Sequence, residues 1–201
     1  KYFFRLQSLP MTMENIDALK KNPREGGRLT YKLKNADVFV SKSGFHFIDY
    51  LDPVEAIPPE IDASQLTDEV AAYIETQLQA NAEKFDNQAN IVKQHLPLQN
   101  AKVLDVGCGG GLFLSLLKQQ GADVIGIELS DSRAQYAKAK HRLVIDKHPI
   151  ESDHWQSGYA TYFDAVTLWD VIEHVNYPLQ TLQSVASVLK EGGVLLIDTP
   201  C

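Results

Sequence analysis

The sequence is poor in cysteine and lacks a long apolar run, and each shortage excludes a class of protein. Its two cysteines, Cys108 and Cys201, supply neither a disulfide framework nor a metal-ligand spacing, so we predict no metal site. No stretch of about 18 apolar residues is present, which excludes a membrane-spanning helix. The aromatic run at residues 2–4 is too short for the core of a signal peptide. We therefore expect a cytoplasmic protein.

Positively charged residues are also fewer than negatively charged ones. The chain carries 19 Lys and Arg against 26 Asp and Glu, for a net charge of −7. Proteins that bind the phosphates of nucleic acids need clustered Lys and Arg, so we expect no nucleic-acid partner. With 44% hydrophobic and 22% charged residues, the 201-residue chain has the composition of a globular protein. It is long enough for one full domain and an appendage.

One stretch predicts a nucleotide pocket. The short apolar run at residues 103–106 is typical of a buried parallel strand. Four glycines lie within the next five residues, and an apolar helical pattern begins at Leu112. A glycine turn lets the backbone approach a ligand, and the start of the following helix presents free N–H groups.

The spacing of the glycines indicates which nucleotide. The dinucleotide fingerprint G-x-G-x-x-G requires a third glycine where this chain has Leu112. The chain instead has G-x-G-x-G, with Asp105 two residues before Gly107. An acid at that position suits a cationic ligand better than a pyrophosphate. An NAD-dependent oxidoreductase is therefore a less favoured hypothesis.

The stretch VLDVGCGGG resembles the first motif of class I S-adenosylmethionine (SAM) dependent methyltransferases, whose ligand carries an ammonium and a sulfonium. The blocks FDAVTLWDVIEHV (residues 163–175) and LKEGGVLLIDTP (residues 189–200) resemble the fourth- and fifth-strand motifs of that family. The resemblance implies an α/β fold with a doubly wound, Rossmann-like and mostly parallel sheet over residues 65–201. It also implies SAM as cofactor and a small-molecule acceptor, with quinone-, lipid- or sugar-like hydroxyls favoured by the Glu-His-Val ending. A SAM-binding module without catalysis is the alternative.

The resemblance also implies a set of cofactor contacts. Glu128 lies at the carboxyl end of the predicted second strand, where an acid can accept the ribose hydroxyls. Ile150 follows the predicted third strand and is our choice for the adenine contact. The contacts expected for the remainder of SAM are Asp105, Gly107, Cys108, Gly109, Gly111, Leu129, Trp169 and Asp170.

Asp170 and His174 are the candidate catalytic residues. His174 has three possible roles: general base towards an acceptor hydroxyl, metal ligand together with Glu173, or a structural residue that fixes the turn before Pro178. The residues alone leave these alternatives open.

The ends of the chain are harder to interpret. Residues 1–64 predict an α+β extension or lid, with a helix at residues 12–21 and strands near residues 29–33, 38–40 and 45–50. The extension weakly resembles a zinc-ribbon segment that has lost its cysteines. Residues 65–96 predict two helices, or one helix broken near residues 81–88. Residues 178–190 predict an amphipathic helix, which the run Glu191-Gly192-Gly193 stops. Strands six and seven of the family are apparently missing after the fifth strand, so we expect that strand to be an open edge at which a dimer could pair.

Overall fold

The computed structural model describes residues 2–5, 28–32, 37–40, 46–48 and 65–199. The strands are β1 (Tyr2–Arg5), β2 (Arg28–Lys32), β3 (Asp37–Val40), β4 (His46–Ile48), β5 (Lys102–Val106), β6 (Asp123–Ile127), β7 (Val144–Asp146), β8 (Phe163–Trp169) and β9 (Leu189–Asp198). The helices are α1 (Asp68–Ala80), α2 (Ala82–His95), α3 (Leu112–Gln119), α4 (Asp131–His141), α5 (Asp153–Gly158) and α6 (Pro178–Val188). No helix in these ranges has the length and apolarity needed to span a membrane.

Six strands form the main sheet, in the order β1-β9-β8-β5-β6-β7. Pairing is parallel from β9 through to β7, and helices lie between these strands along the chain. The strand order reverses beside β5, because β6 pairs with one side of β5 and β8 with the other. In open α/β sheets, ligands bind beyond the carboxyl ends of the strands at such a reversal. The predicted doubly wound fold is confirmed.

The edge beside β9 differs from the expectation. We expected strands six and seven to be missing and the fifth strand to be open. Instead β1 pairs antiparallel with β9, with Phe3 opposite Leu196 and Arg5 opposite Val194. The expectation of an open edge is therefore wrong. The strand comes from the start of the chain, where its short aromatic run gave no indication of its distant partner.

A separate antiparallel sheet is formed by β2, β3 and β4. These strands overlap the three predicted between residues 29 and 50. The helix predicted at residues 12–21 lies outside the described residues. The assignment of residues 1–64 to an extension or lid stays a prediction.

The main sheet is covered on both faces. Neighbouring residues of β5 point to opposite sides: Val103 belongs to a buried cluster with Val92 and Leu114, and Leu104 to a second cluster with Trp155. Burial on both faces explains why the strands are continuous apolar runs rather than alternating ones. The two clusters hold the carboxyl ends of β5 and β8 in place.

Two boundaries illustrate how well local patterns predict the elements. The predicted break is present between α1 and α2, at Asn81, which leaves helical geometry with φ −109° and ψ 13°. At the other end of the domain, the predicted helix over residues 178–190 ends instead at Val188, and β9 begins at Leu189. Gly192, which was predicted to stop the helix, has a φ of 73° inside β9, where the pairing register with β8 shifts.

Candidate active site

The glycine turn between β5 and α3 forms the floor of a cavity. Gly107, Gly109 and Gly111 have φ angles of 74°, 55° and 81°, a region that L side chains rarely adopt. A Cβ on Gly109 would have no heavy atom beyond its chain neighbours within 4 Å. The backbone at Gly109 therefore faces open space, which leaves room for a ligand directly above the turn.

Asp105 places a buried carboxyl group in the wall of this cavity. Its exposed fraction is 3%, and the Thr167 hydroxyl on β8 donates a hydrogen bond to its Oδ1 at 2.6 Å. Burial raises the pKa of Asp105 to about 8, against the effect of the Thr167 bond and with a further rise from the charge of Glu128. A cation in the cavity would favour the carboxylate form. The group therefore suits an ammonium or sulfonium and disfavours a phosphate.

Glu128 supplies a second, rigidly held carboxylate just beyond β6. Its Oε1 accepts a hydrogen bond from the Ser130 amide and its Oε2 accepts one from the Gly109 amide, both at 2.8 Å. These bonds tie the end of β6 to the glycine turn. Each carboxylate oxygen retains a further lone pair for a ligand hydroxyl.

The cavity has a volume of about 370 Å³, within the range typical of small-molecule and cofactor sites. Three parts of the chain line it: the glycine turn, the inner face of α1 and α2, and the carboxyl end of β8. The residues from α1 and α2 are Tyr73, Ile74, Gln77, Leu78, Asn81, Lys84, Phe85 and Gln88. Phe113 and Arg133 complete the lining together with the turn and β8.

Helix α1 is fastened to α4 by a hydrogen-bonded acid. Glu75 accepts hydrogen bonds from the Tyr136 hydroxyl and from the Lys140 ammonium, the latter at 2.8 Å. The bonds from Lys140 and Tyr136 lower the pKa of Glu75 to about 2. Glu75 stays ionised at neutral pH, and it therefore ties α1, whose residues line the cavity, to α4.

Trp169 and Asp170 lie at the carboxyl end of β8. The Trp169 ring meets Phe113 edge to face, at a centroid distance of 5.6 Å, and its buried Nε1 has no hydrogen-bond partner within the described ranges. Asp170 has a φ of 53°, donates its amide to the Asp198 carbonyl at 2.9 Å, and pairs with Lys84 from α2. This ion pair links α2 to the sheet across the cavity.

Gln88 is the clearest site residue that the sequence did not reveal. Its exposed fraction is 3%, it lines the cavity, and neither its amide nitrogen nor its amide oxygen has a partner among the residues that the structure describes. Leaving a buried amide unpaired costs about 1–3 kcal/mol, a cost that a polar ligand group would remove. Nothing in the sequence indicated that this polar side chain of α2 points inward.

The structure brings together most, but not all, of the predicted site residues. Asp105, Gly107, Cys108, Gly109, Trp169 and Asp170 line the cavity, and Glu128 joins them through Gly109. Gly111 packs beneath the turn, where a Cβ would lie 2.5 Å from Leu143.

The other predicted contacts lie elsewhere. Ile150 is 2% exposed within the buried cluster around Trp155, and Leu129 is 48% exposed. The side chain of His174 is exposed and is not part of the lining; its amide donates to the Val171 carbonyl at 2.9 Å. Asp170 is therefore the better placed of the two candidate catalytic residues.

The fold and the site together define the class of protein. A doubly wound sheet places two acids and a glycine turn around one cavity at its reversal point, and the buried acid selects a positively charged ligand. The unpaired amide of Gln88 and the open space above Gly109 fit a polar cofactor such as SAM. A pyrophosphate would have to approach a carboxylate.

The chain belongs to the methyltransferase domain family, whose model matches residues 73–201. Membership of the SAM-dependent methyltransferases and SAM as their cofactor are thereby confirmed for this domain. The solved structures agree on the fold. A putative SAM-dependent methyltransferase from Methanococcus maripaludis has a TM-score of 0.53 at 14% identity, with 68% of this chain and 67% of that chain covered. A TehB-like SAM-dependent methyltransferase from Corynebacterium glutamicum has a TM-score of 0.51 at 24% identity, with coverages of 63% and 72%.

Relatives of known name are more similar in sequence. The ubiquinone biosynthesis O-methyltransferase of Histophilus somni is 39% identical over 116 residues, which are 54% of this chain and 49% of that protein. The enzyme of the same name from Stutzerimonas stutzeri is 30% identical over 115 residues, 56% of this chain and 50% of that protein. The chain thus spans about half the length of the curated relatives it matches.

Proposed function

We propose that the protein transfers a methyl group from SAM to the hydroxyl of a small, quinone-like phenol. The main support for SAM as the methyl donor is the buried carboxyl of Asp105, which lies beside a glycine turn and a cavity of about 370 Å³. Support for the acceptor half comes from the relatives named ubiquinone biosynthesis O-methyltransferase.

The donor contacts follow from the positions of the two acids. Bound SAM supplies a methyl group on a sulfonium, and its transfer to an acceptor oxygen leaves S-adenosylhomocysteine (SAH) and a proton. Asp105 binds the ammonium of the methionyl part, and Glu128 accepts the ribose hydroxyls with its remaining lone pairs. Ile150 stays our predicted adenine contact, although its side chain must first become accessible from the core.

The acceptor would bind on the side of the cavity nearest β9. A second cavity of about 360 Å³ shares Asn81, Lys84 and Gln88 with the first and extends to Asp198. Its walls carry side-chain amides, the Lys84 ammonium and the carboxylates of Glu83 and Asp198. The amides and the ammonium suit the oxygens of a phenol or quinol. Asp170 is close enough to the shared wall to contact Lys84, so we assign it the proton released from the acceptor hydroxyl. His174 remains the alternative base.

A methyl-transfer assay on the full-length protein tests this function. Labelled SAM is supplied with catechols and hydroquinones, and with sugars and fatty acids as other acceptor classes. We expect label on a phenolic oxygen. Binding of SAH without transfer to any acceptor would favour the non-catalytic SAM-binding module, and stabilisation by NADH but not by SAH would favour an oxidoreductase.

Gln88→Leu tests the placement of the cavity, with Gln94→Leu as its matched control. Gln94 lies on the same helix, exposed and outside the lining. Removing the unpaired amide of Gln88 should raise the melting temperature slightly and lower kcat/KM by roughly tenfold, the effect of one lost hydrogen bond. The control should change neither. Equal kcat/KM in both variants would contradict the assignment of Gln88 to the site.

A further inference from the structure

Three metal-ligating side chains come together at the carboxyl end of β7, outside the cavity lining. Asp146 ends β7, His148 lies two residues further on in the loop, and His154 lies in the first turn of α5. One potential ligand atom from each residue lies within 4.8 Å of the other two. The spacing did not stand out in the sequence, because the residues are brought together by the fold of the loop into α5.

The two imidazoles share one carboxylate. His148 Nδ1 lies 2.7 Å from Asp146 Oδ1, and His154 Nε2 lies 3.0 Å from Asp146 Oδ2. The two rings stack with a centroid distance of 4.5 Å and an interplanar angle of 19°. Each ring therefore turns one nitrogen towards an oxygen of the same carboxylate.

Surrounding residues hold this arrangement in place. The His148 amide donates to Asp146 Oδ1 at 2.7 Å, and the His148 carbonyl accepts from Trp155 Nε1 at 2.9 Å. Trp155 is fully buried and its ring meets the His154 ring edge to face at 5.3 Å. Such outer contacts orient metal ligands in known sites. Lys147, between two of the three in sequence, pairs with Asp131.

We propose that Asp146, His148 and His154 bind one divalent transition-metal ion, with Zn²⁺ as the best match. Two imidazoles and a carboxylate form a donor set that suits Zn²⁺, and three protein ligands leave a fourth position for water. At Zn–N and Zn–O distances of about 2.0–2.1 Å, tetrahedral ligand atoms lie ~3.3 Å apart. The 2.7 and 3.0 Å contacts are to different oxygens of Asp146, and the set with one ligand atom from each residue lies within 4.8 Å, so its widest separation has to shorten by at most ~1.5 Å.

The ion would join the loop and α5 to the end of β7. Both histidine side chains are exposed, by 61% and 38%, so that an ion can reach them from solvent. The loop between them carries Ile150, and the Asp146 carbonyl accepts the Glu128 amide at 3.1 Å. Metal binding at this position therefore stabilises the part of the fold next to Glu128, whether or not the protein transfers methyl groups.

Calorimetric titration of Zn²⁺ into the metal-free full-length protein tests the site. We expect one equivalent to bind and to raise the melting temperature. His154→Gln and Asp146→Asn should each weaken binding by on the order of tenfold or more, since even the loss of an outer contact costs 10–100-fold. His95→Gln is the matched control, because His95 is exposed in the last turn of α2 and lies outside the cluster. Absence of binding, or equal affinity in His154→Gln and the control, would overturn the proposal.

Two further measurements keep the test decisive if a variant folds poorly. His148→Gln alters the most exposed of the three residues and repeats the titration where folding is least affected. The visible spectrum of bound Co²⁺ reports the ligand set directly, and its bands should change in His148→Gln and persist in His95→Gln. A Co²⁺ spectrum unchanged by His148→Gln would assign the ion to other residues and overturn the proposal.

Discussion

Asp105→Asn removes an ionisable group from the buried end of β5 while keeping its shape. The asparagine oxygen can still accept the hydrogen bond that Thr167 donates at 2.6 Å. With the pKa of Asp105 raised to about 8 by burial, the folded protein holds a proton that the unfolded chain releases near pH 4. The free energy of unfolding therefore falls as pH rises from about 4 to about 8, because the folded state binds more protons over that range. Asparagine does not ionise, so the free energy of unfolding of the variant does not fall for this reason as the pH rises.

The size of the effect follows from the pKa. Each pH unit between the two pKa values corresponds to ~1.4 kcal/mol, which gives a limit of ~4 kcal/mol between pH 5 and pH 8. Half of that limit, ~2 kcal/mol, would raise the melting temperature of a domain of this size by ~4–8 °C. We thus expect Asp105→Asn to be clearly more stable than the wild type at pH 8 and close to it at pH 5.

Urea or thermal unfolding of the ligand-free proteins at both pH values measures this difference. Asp123→Asn is the matched control. Asp123 is exposed at the start of β6, at the end of the strand far from Glu128, and the substitution removes the same formal charge. The control should follow the wild type at both pH values. Parallel pH profiles for the wild type and Asp105→Asn would refute a raised pKa at this position. The stabilised variant should at the same time lose its thermal shift with SAH.

Three further predictions follow from the site. SAH should bind more tightly at pH 8 than at pH 6, because its ammonium drives the proton off Asp105. Calorimetry at pH 6 in two buffers of different ionisation enthalpy should show proton release, and observed heats that are equal in the two buffers would contradict it. Gly111→Ala should lower the free energy of unfolding by ~2–4 kcal/mol. The φ of 81° at this position disfavours a side chain, and a new Cβ would lie 2.5 Å from an atom of Leu143. An unchanged midpoint in urea unfolding would argue against this packing. Lys84→Met should change the free energy of unfolding by less than ~1 kcal/mol, because the loss of an exposed ion pair has little effect on stability. The same variant should lower kcat/KM for the acceptor. An unaltered kcat/KM would show that Lys84 does not contact the acceptor.

The parts of the fold that the sequence predicts are those with a local cause. Asp105, the glycines after it and the apolar face of α3 are contiguous, so strand, turn and helix can be predicted from one stretch. The break at Asn81 follows from a cluster of poor helix formers. Asp105 and Glu128 are predictable as neighbours because parallel strands end at the same edge of the sheet.

The remaining features depend on partners far apart in the sequence. Glu75 meets Tyr136 across 61 residues, and Lys84 meets Asp170 across 86. The inward orientation of Gln88 and the pairing of β1 with β9 likewise depend on tertiary packing. Ile150 is apolar and follows the third strand as predicted, but its burial beside Trp155 results from α5, a helix too short to be evident in the sequence.

Binding of SAH to the wild type and to Glu128→Gln tests the central claim most directly. The Glu128 carboxylate is fixed by the amides of Gly109 and Ser130, at 2.8 Å each, and we propose that its remaining lone pairs accept the ribose hydroxyls. We predict that calorimetric titration shows one SAH bound to the wild-type chain and to Asp123→Asn, with most of the affinity lost in Glu128→Gln. Failure of the wild type to bind SAH, or equal affinity in Glu128→Gln, would contradict the account.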